Sequence, residues 1–201
     1  MPPLPSHDKC SKRFPEEKYP EQYAQWVRLR TERSTDLLAV AGPYSGAPAD
    51  NVVWLGDTFP EDQKTQERLR YESWRVEPQD DGTVLLKAAI LGPGMCLGVS
   101  PEPPAQNQPQ VQPCSDDPSG QPWKGQHWKL KQDGDWTQLK TVFSGDDKCL
   151  GLFVGGLPTP HYWPVLQKCG ANPQYPNQVA GQQWKITPSP YKGAGAGDWT
   201  P

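Results

Sequence analysis

The chain has no surplus of basic residues. Its 20 lysines and arginines stand against 23 acids, a formal charge of −3 over 201 residues. Without cations to displace counterions from phosphates, nucleic acid is not an expected partner. No run of about 18 apolar residues occurs, so no transmembrane segment is expected. The opening residues, Met1 to Cys10, contain no apolar signal region. Hydrophobic residues make up only 34% of the chain, below the usual globular share. Catalytic signatures are missing too: there is no Gly-x-Ser-x-Gly, no His-Glu-x-x-His and no phosphate-binding glycine loop. The three histidines, His7, His127 and His161, are not spaced as zinc ligands on one element. The expectation is therefore no enzyme, no metal and no cofactor.

Turn formers and tryptophan are abundant: 25 prolines, 19 glycines and nine tryptophans. This balance favours many short strands joined by long loops. Tryptophans at that density supply core volume and leave some over for binding faces. The carboxylate pairs Asp80-Asp81, Asp116-Asp117 and Asp146-Asp147 lie beside glycine or proline and read as turns.

Three segments end alike: Glu72-Ser73-Trp74-Arg75-Val76, Gln126-His127-Trp128-Lys129-Leu130 and Gln182-Gln183-Trp184-Lys185-Ile186. They recur about every 55 residues, the mark of an internal repeat. In each, tryptophan and an aliphatic residue flank a basic one, which reads as a strand with one apolar face. His127 is expected in such a strand, facing solvent. Upstream, Leu37-Leu38-Ala39-Val40, Cys96-Leu97-Gly98-Val99 and Cys149-Leu150-Gly151-Leu152 line up. Each has a strand-like stretch before it, starting at Trp26, Val84 and Trp136. Each has another after it, at residues 51–55, 110–114 and 164–169. That makes four strands per repeat and twelve in all. One repeat cannot bury its apolar face alone, whereas three closed into a barrel can, with few exposed edges.

The expected organisation is an N-terminal arm at residues 1–22, a domain at 23–188 and a flexible tail at 189–201. The repeats span about 24–78, 79–132 and 133–188. Within residues 60–70, proline and acids at the start and arginines at the end predict one or two helical turns. The matching loops of the other repeats should be irregular.

Four of the five cysteines frame the second and third strands of repeats two and three. Repeat one has Leu37 and Gly56 where the others have cysteines. Joint loss of both members fits disulfides Cys96–Cys114 and Cys149–Cys169, the alternative being four buried thiols. Disulfides imply an oxidising compartment, hence a secreted protein. Cys10, in the arm, is left over and available for an intermolecular bridge.

The pieces Cys96-Leu97, Cys114 and Gln126-His127-Trp128, and Cys149-Leu150, Cys169 and Gln182-Gln183-Trp184, resemble the signature of the ricin-type β-trefoil modules. The likeness covers residues 24–188 or so, with Glu72 in place of glutamine in repeat one. It implies an all-β, β-trefoil fold and a shallow sugar pocket in each repeat. Such a pocket has an aspartate two residues after the first cysteine, an aromatic two before the second, and an asparagine before Gln-x-Trp. Carboxylate and amide bind hydroxyls while the ring stacks on the sugar. Here the aspartate position is Ala39, Gly98 or Gly151. The asparagine position is Tyr71, Gly125 or Gly181, and the aromatic position is Trp54, Gln112 or Gln167. Any sugar site is therefore non-standard. The candidate ligand-binding residues are Trp54, Tyr71, Trp123, Tyr162 and Trp163.

The resemblance implies a lectin-like or toxin cell-binding subunit. Its partner would be a glycan or glycosylated receptor, and another toxin chain could dock through the arm and Cys10. A β-trefoil protease inhibitor, presenting stiff loops such as Pro101-Glu102-Pro103-Pro104, and a protein-binding trefoil without glycan activity are the alternatives.

Overall fold

The structure is a computed structural model, and it describes residues 26–32, 37–40, 53–56, 65–99, 107–114, 124–155, 161–170 and 180–192. The arm with Cys10, the loop with Trp123 and the end of the tail lie outside the described residues. Twelve strands and one short α-helix follow in order among the described residues. Repeat one holds β1 (Trp26–Thr31), β2 (Leu37–Val40), β3 (Val53–Gly56), α1 (Gln66–Tyr71) and β4 (Trp74–Pro78). Repeat two holds β5 (Val84–Ala88), β6 (Met95–Val99), β7 (Pro109–Pro113) and β8 (Trp128–Asp133). Repeat three holds β9 (Trp136–Thr141), β10 (Lys148–Gly155), β11 (His161–Lys168) and β12 (Trp184–Pro188).

The first and fourth strands of each repeat build a six-stranded barrel, in the cyclic order β1, β12, β9, β8, β5, β4. The second and third strands form hairpins, β2–β3, β6–β7 and β10–β11. Strands β3, β7 and β11 approach one another, so the hairpins converge as a cap on one end of the barrel. Alternation carries the pattern. In β9 the residues Thr137, Leu139 and Thr141 are buried, and those between them are partly exposed.

Trp74, Trp128 and Trp184 have no exposed surface and lie in one core cluster with Leu38, Leu97 and Leu150. A buried indole N–H needs an acceptor. Each finds the same one, as Nε1 donates to the backbone oxygen of Leu38 at 2.8 Å, Leu97 at 2.9 Å and Leu150 at 2.9 Å. This bond fixes Leu38, Leu97 and Leu150 as equivalent positions in the three repeats.

Helix α1 meets the expectation for residues 60–70, and Leu69 anchors it at 3% exposure. Between β4 and β5 the chain turns at Gly82, whose φ of 80° suits glycine, and Asp81 lies in that turn as expected. The tail begins later than the sequence implied. The Ser189 amide donates to the Trp26 carbonyl at 2.7 Å. Tyr191 packs edge-on against Trp26, with centroids 5.5 Å apart. Gln66 of α1 accepts from the Lys192 amide at 2.7 Å. Residues 189–192 are thus laid onto β1 and α1 because their backbone groups find partners there.

Both expected disulfides are present, Cys96–Cys114 and Cys149–Cys169, each tying the second strand of a repeat to the end of its third. The repeat-one equivalence needs correction. Leu38 pairs with Leu55, as Leu97 pairs with Val111 and Leu150 with Leu166. Three residues beyond Val111 and Leu166 come Cys114 and Cys169, so the counterpart in repeat one is residue 58, not Gly56. Hairpin register is set by the side chains that face each other, and sequence spacing alone left a two-residue ambiguity.

Removing either disulfide by Cys→Ser at both positions should lower stability by roughly 3 kcal/mol, since each closes a loop of about 20 residues. Denaturant unfolding of C96S/C114S and C149S/C169S under non-reducing conditions checks this.

Candidate functional site

The candidate residues Trp54, Tyr162 and Trp163 lie on strands of the capping hairpins. On β7 the inward residues Pro109 and Val111 are buried, while Gln110 and Gln112 are half-buried on the outer face. On β11, Pro164 and Leu166 point in; Trp163, Val165 and Gln167 point out, and Trp163 is 46% exposed.

In repeats two and three the sugar-binding aspartate position is closed. A side chain on Gly98 would put its Cβ 2.7 Å from Cγ of Gln126, which is fully buried. Gln126 is held in place because its Nε2 donates to the Pro113 carbonyl at 2.7 Å. Gln182 repeats the arrangement. Its Nε2 donates to the Lys168 carbonyl at 2.8 Å, and its Oε1 accepts from the Gly170 amide at 2.9 Å. Cγ of Gln182 would lie 2.8 Å from a Cβ on Gly151, and the Gln167 amide would touch it from the other side. The glutamine of Gln-x-Trp is thus a clamp from the closing turn to the end of the third strand. The asparagine position of repeat two is equally tight: a Cβ on Gly125 would collide with the Val99 backbone.

Repeat one is built differently. Glu72 stands where the clamp glutamine stands elsewhere, and its Oε1 accepts from Nη1 of Arg28 at 3.3 Å. Ala39 occupies the aspartate position, and Trp54 is its direct register partner on β3. The corrected register moves Trp54 off the aromatic position, which falls on Gly56, by two residues. A two-residue step keeps the same face of the strand, so Trp54 takes the outward register position of Gln110 and Val165. Tyr71 ends α1 and is half-buried. On β11, Tyr162 pairs with Val154 and Trp163 with Phe153. Strands β3 and β11 are neighbours in the cap, which brings the strands carrying Trp54, Tyr162 and Trp163 together. Tyr71 comes from the helix that precedes β4.

One expectation fails outright. His127 does not face solvent from a strand; it precedes β8 and is 2% exposed. Its Nδ1 lies 2.9 Å from the Thr83 hydroxyl and 3.7 Å from Asp81 Oδ2. Thr83 gives its hydroxyl proton to Asp81 Oδ1 at 2.6 Å, which leaves its oxygen to accept from the Nδ1 hydrogen. Packing of repeat two against its own first turn draws the ring inward, which no period-2 reading from Trp128 would reveal. Partial burial works to raise the Asp81 carboxyl, but the Thr83 hydroxyl and amide and the His127 ring outweigh it and hold it below its ordinary value. Among the described residues no group of three histidine, cysteine or acidic side chains is placed to hold a metal.

No protein-family profile matches the chain, and no curated protein sequence matches it. Solved structures do. The designed three-fold symmetric protein ThreeFoil is 18% identical, with a TM-score of 0.55 over 81% of this chain and 97% of that one. Cytolethal distending toxin from Actinobacillus actinomycetemcomitans is 18% identical, with a TM-score of 0.58 over 88% of this chain and 99% of that one. The ricin B-like lectin of Macrolepiota procera, solved with lactose, is 15% identical, with a TM-score of 0.52 over 82% of this chain and 96% of that one. The class that barrel, cap and likenesses define is the β-trefoil. The structural neighbours of this chain are β-trefoil proteins, lectin and toxin among them.

Two outcomes follow. Gly98→Asp should not restore a sugar pocket but destabilise the protein by about 1–3 kcal/mol, because the new side chain meets a clamped glutamine; thermal or denaturant unfolding reads this. Asp81, with its folded carboxyl below the ordinary value, stabilises the fold above ~pH 4, and this is lost as pH falls through the folded value. The stability gap between wild type and Asp81→Asn should therefore be full at neutral pH and narrow on acidification, as urea unfolding across pH would show.

Proposed function

We propose that the chain is a secreted, non-enzymatic binding module, a lectin-like or toxin-binding subunit of the ricin type that attaches to a glycan or glycosylated receptor. The observation that carries this reading is the asymmetry of the cap. Repeats two and three close the sugar position with clamped glutamines over Gly98 and Gly151. Repeat one carries Glu72 in place of the clamp glutamine and pairs it with Arg28, and Trp54 is the register partner of Ala39. The site then lies in repeat one, around Trp54 and Tyr71, and extends across the cap to Tyr162 and the exposed Trp163. Aromatic rings supply the stacking surface, and their burial against sugar C–H groups carries the affinity. With Ala39 in place of aspartate, hydroxyl recognition falls to backbone and neighbouring polar groups, so neither galactose preference nor tight monosaccharide binding is expected. The two disulfides support an oxidising, extracellular setting. In this reading the arm and Cys10 are where a toxin chain would dock, and Trp123 borders the ligand.

A glycan array run with wild type, Trp54→Ala, Tyr71→Ala and Trp163→Ala tests the reading. Binding by wild type that falls about tenfold or more on loss of Trp54 is expected, since one stacked ring is worth roughly 1–3 kcal/mol. Silence of the wild type on every glycan sinks the reading and selects a protein partner.

A further inference from the structure

The barrel wall carries a second surface, away from the cap. Four consecutive strands, β1, β12, β9 and β8, form it. Their inward positions belong to the core. Six of their outward positions are cations: Arg28, Arg30, Lys185, Lys140, Lys129 and Lys131. Between them lie Trp136, Gln138 and Thr187, and along these outward rows the first acid is Asp133, the last residue of β8. Arg28, whose side chain is mostly buried, is paired with Glu72 at 3.3 Å. The remaining acids, Glu32, Asp135 and Asp146, sit at the margins, and the exposed Lys129–Asp146 pair at 3.3 Å holds little charge back.

Two cross-strand neighbours in this wall are like-charged, Lys129 opposite Lys140 and Arg30 opposite Lys185. Directly opposed like charges destabilise a sheet. Lys185 is partly relieved over the Trp136 ring, 5.9 Å from its centroid. Arg30 is exposed and, among the described residues, has no ion-pair partner. In a chain of net charge −3 this gathers cations on one wall.

We infer that this wall binds a sulfated polysaccharide. Outward positions recur about every 7 Å along a strand and about 5 Å between strands, a convex grid that suits a long polymer with repeated anionic groups rather than a compact ligand. The half-buried Trp136 ring, with glutamine and threonine beside it, offers a sugar ring a stacking face and hydroxyl partners. In the extracellular setting proposed above, sulfated polysaccharides rather than nucleic acids are the available polyanions. The surface meets the repeat-one site at the Arg28–Glu72 pair, and the cations varied below, Arg30, Lys129 and Lys131, are other residues, so the inference is tested independently of that site.

Heparin serves as the probe, with neutral dextran beside it, in binding measurements at about 0.15 M salt. The wall variant R30S/K129S/K131S changes only exposed side chains, and K87S/K168S/K192S removes the same charge elsewhere; thermal unfolding confirms that both fold. Wild type should bind heparin and not dextran, the wall variant about tenfold more weakly, and the charge-matched control within about twofold of wild type. Trp54→Ala should leave heparin binding unchanged. Absence of heparin binding, or equal weakening of the two triple variants, overturns the inference.

Discussion

The bond from each closing tryptophan to a leucine carbonyl is the constraint on which the rest of the structure hangs. Trp74, Trp128 and Trp184 reach Leu38, Leu97 and Leu150 at 2.8–2.9 Å with no exposed surface. Burying such a ring contributes about 1.5–3 kcal/mol, but only if its N–H is satisfied. The acceptor lies on the second strand, so the bond ties the barrel to the hairpin that caps it. Repeated three times, it sets the pseudo-threefold arrangement and the register from which every other equivalence follows.

The next residue pair outward explains why the cap differs from a sugar-binding one. In repeats two and three the glutamine two before the tryptophan is spent on backbone groups at the end of the third strand. Its aliphatic part then passes so close to the second strand that only glycine fits at Gly98 and Gly151. Repeat one exchanges glutamine for glutamate, whose charge requires a cation and finds Arg28. In the same repeat Ala39 takes the place of the glycines, with Trp54 as its register partner.

Much of the architecture could be read before any coordinates. Twelve strands, the helical turn before Tyr71 and both cysteine pairs followed from periodicity and from a repeat of about 55 residues. Gly56 was misread as a cysteine equivalent because repeat one lacks the cysteines that would have fixed its register. His127 was misread because its place beside Trp128 carries no sign of the turn around Asp81 and Thr83 that buries it. The tail was cut too early, since nothing in Ser189 to Lys192 announces that their partners are Trp26, Ser73 and Gln66, far back in the chain.

By itself the sequence determined what local pattern can encode: strand alternation, turn chemistry, the repeat and the residues that must be buried. A strand with tryptophan, a basic residue and an aliphatic one has only one way to face a core. The tertiary structure alone decided which side chains share a space. Hairpin register, the fit of glutamine over glycine, the pairing of Glu72 with Arg28 and the gathering of six cations on four neighbouring strands depend on elements brought together from separate stretches of the chain, 44 residues apart for Glu72 and Arg28 and more than a hundred for the wall cations. Contacts of that range are set by barrel closure, and no window of sequence contains them.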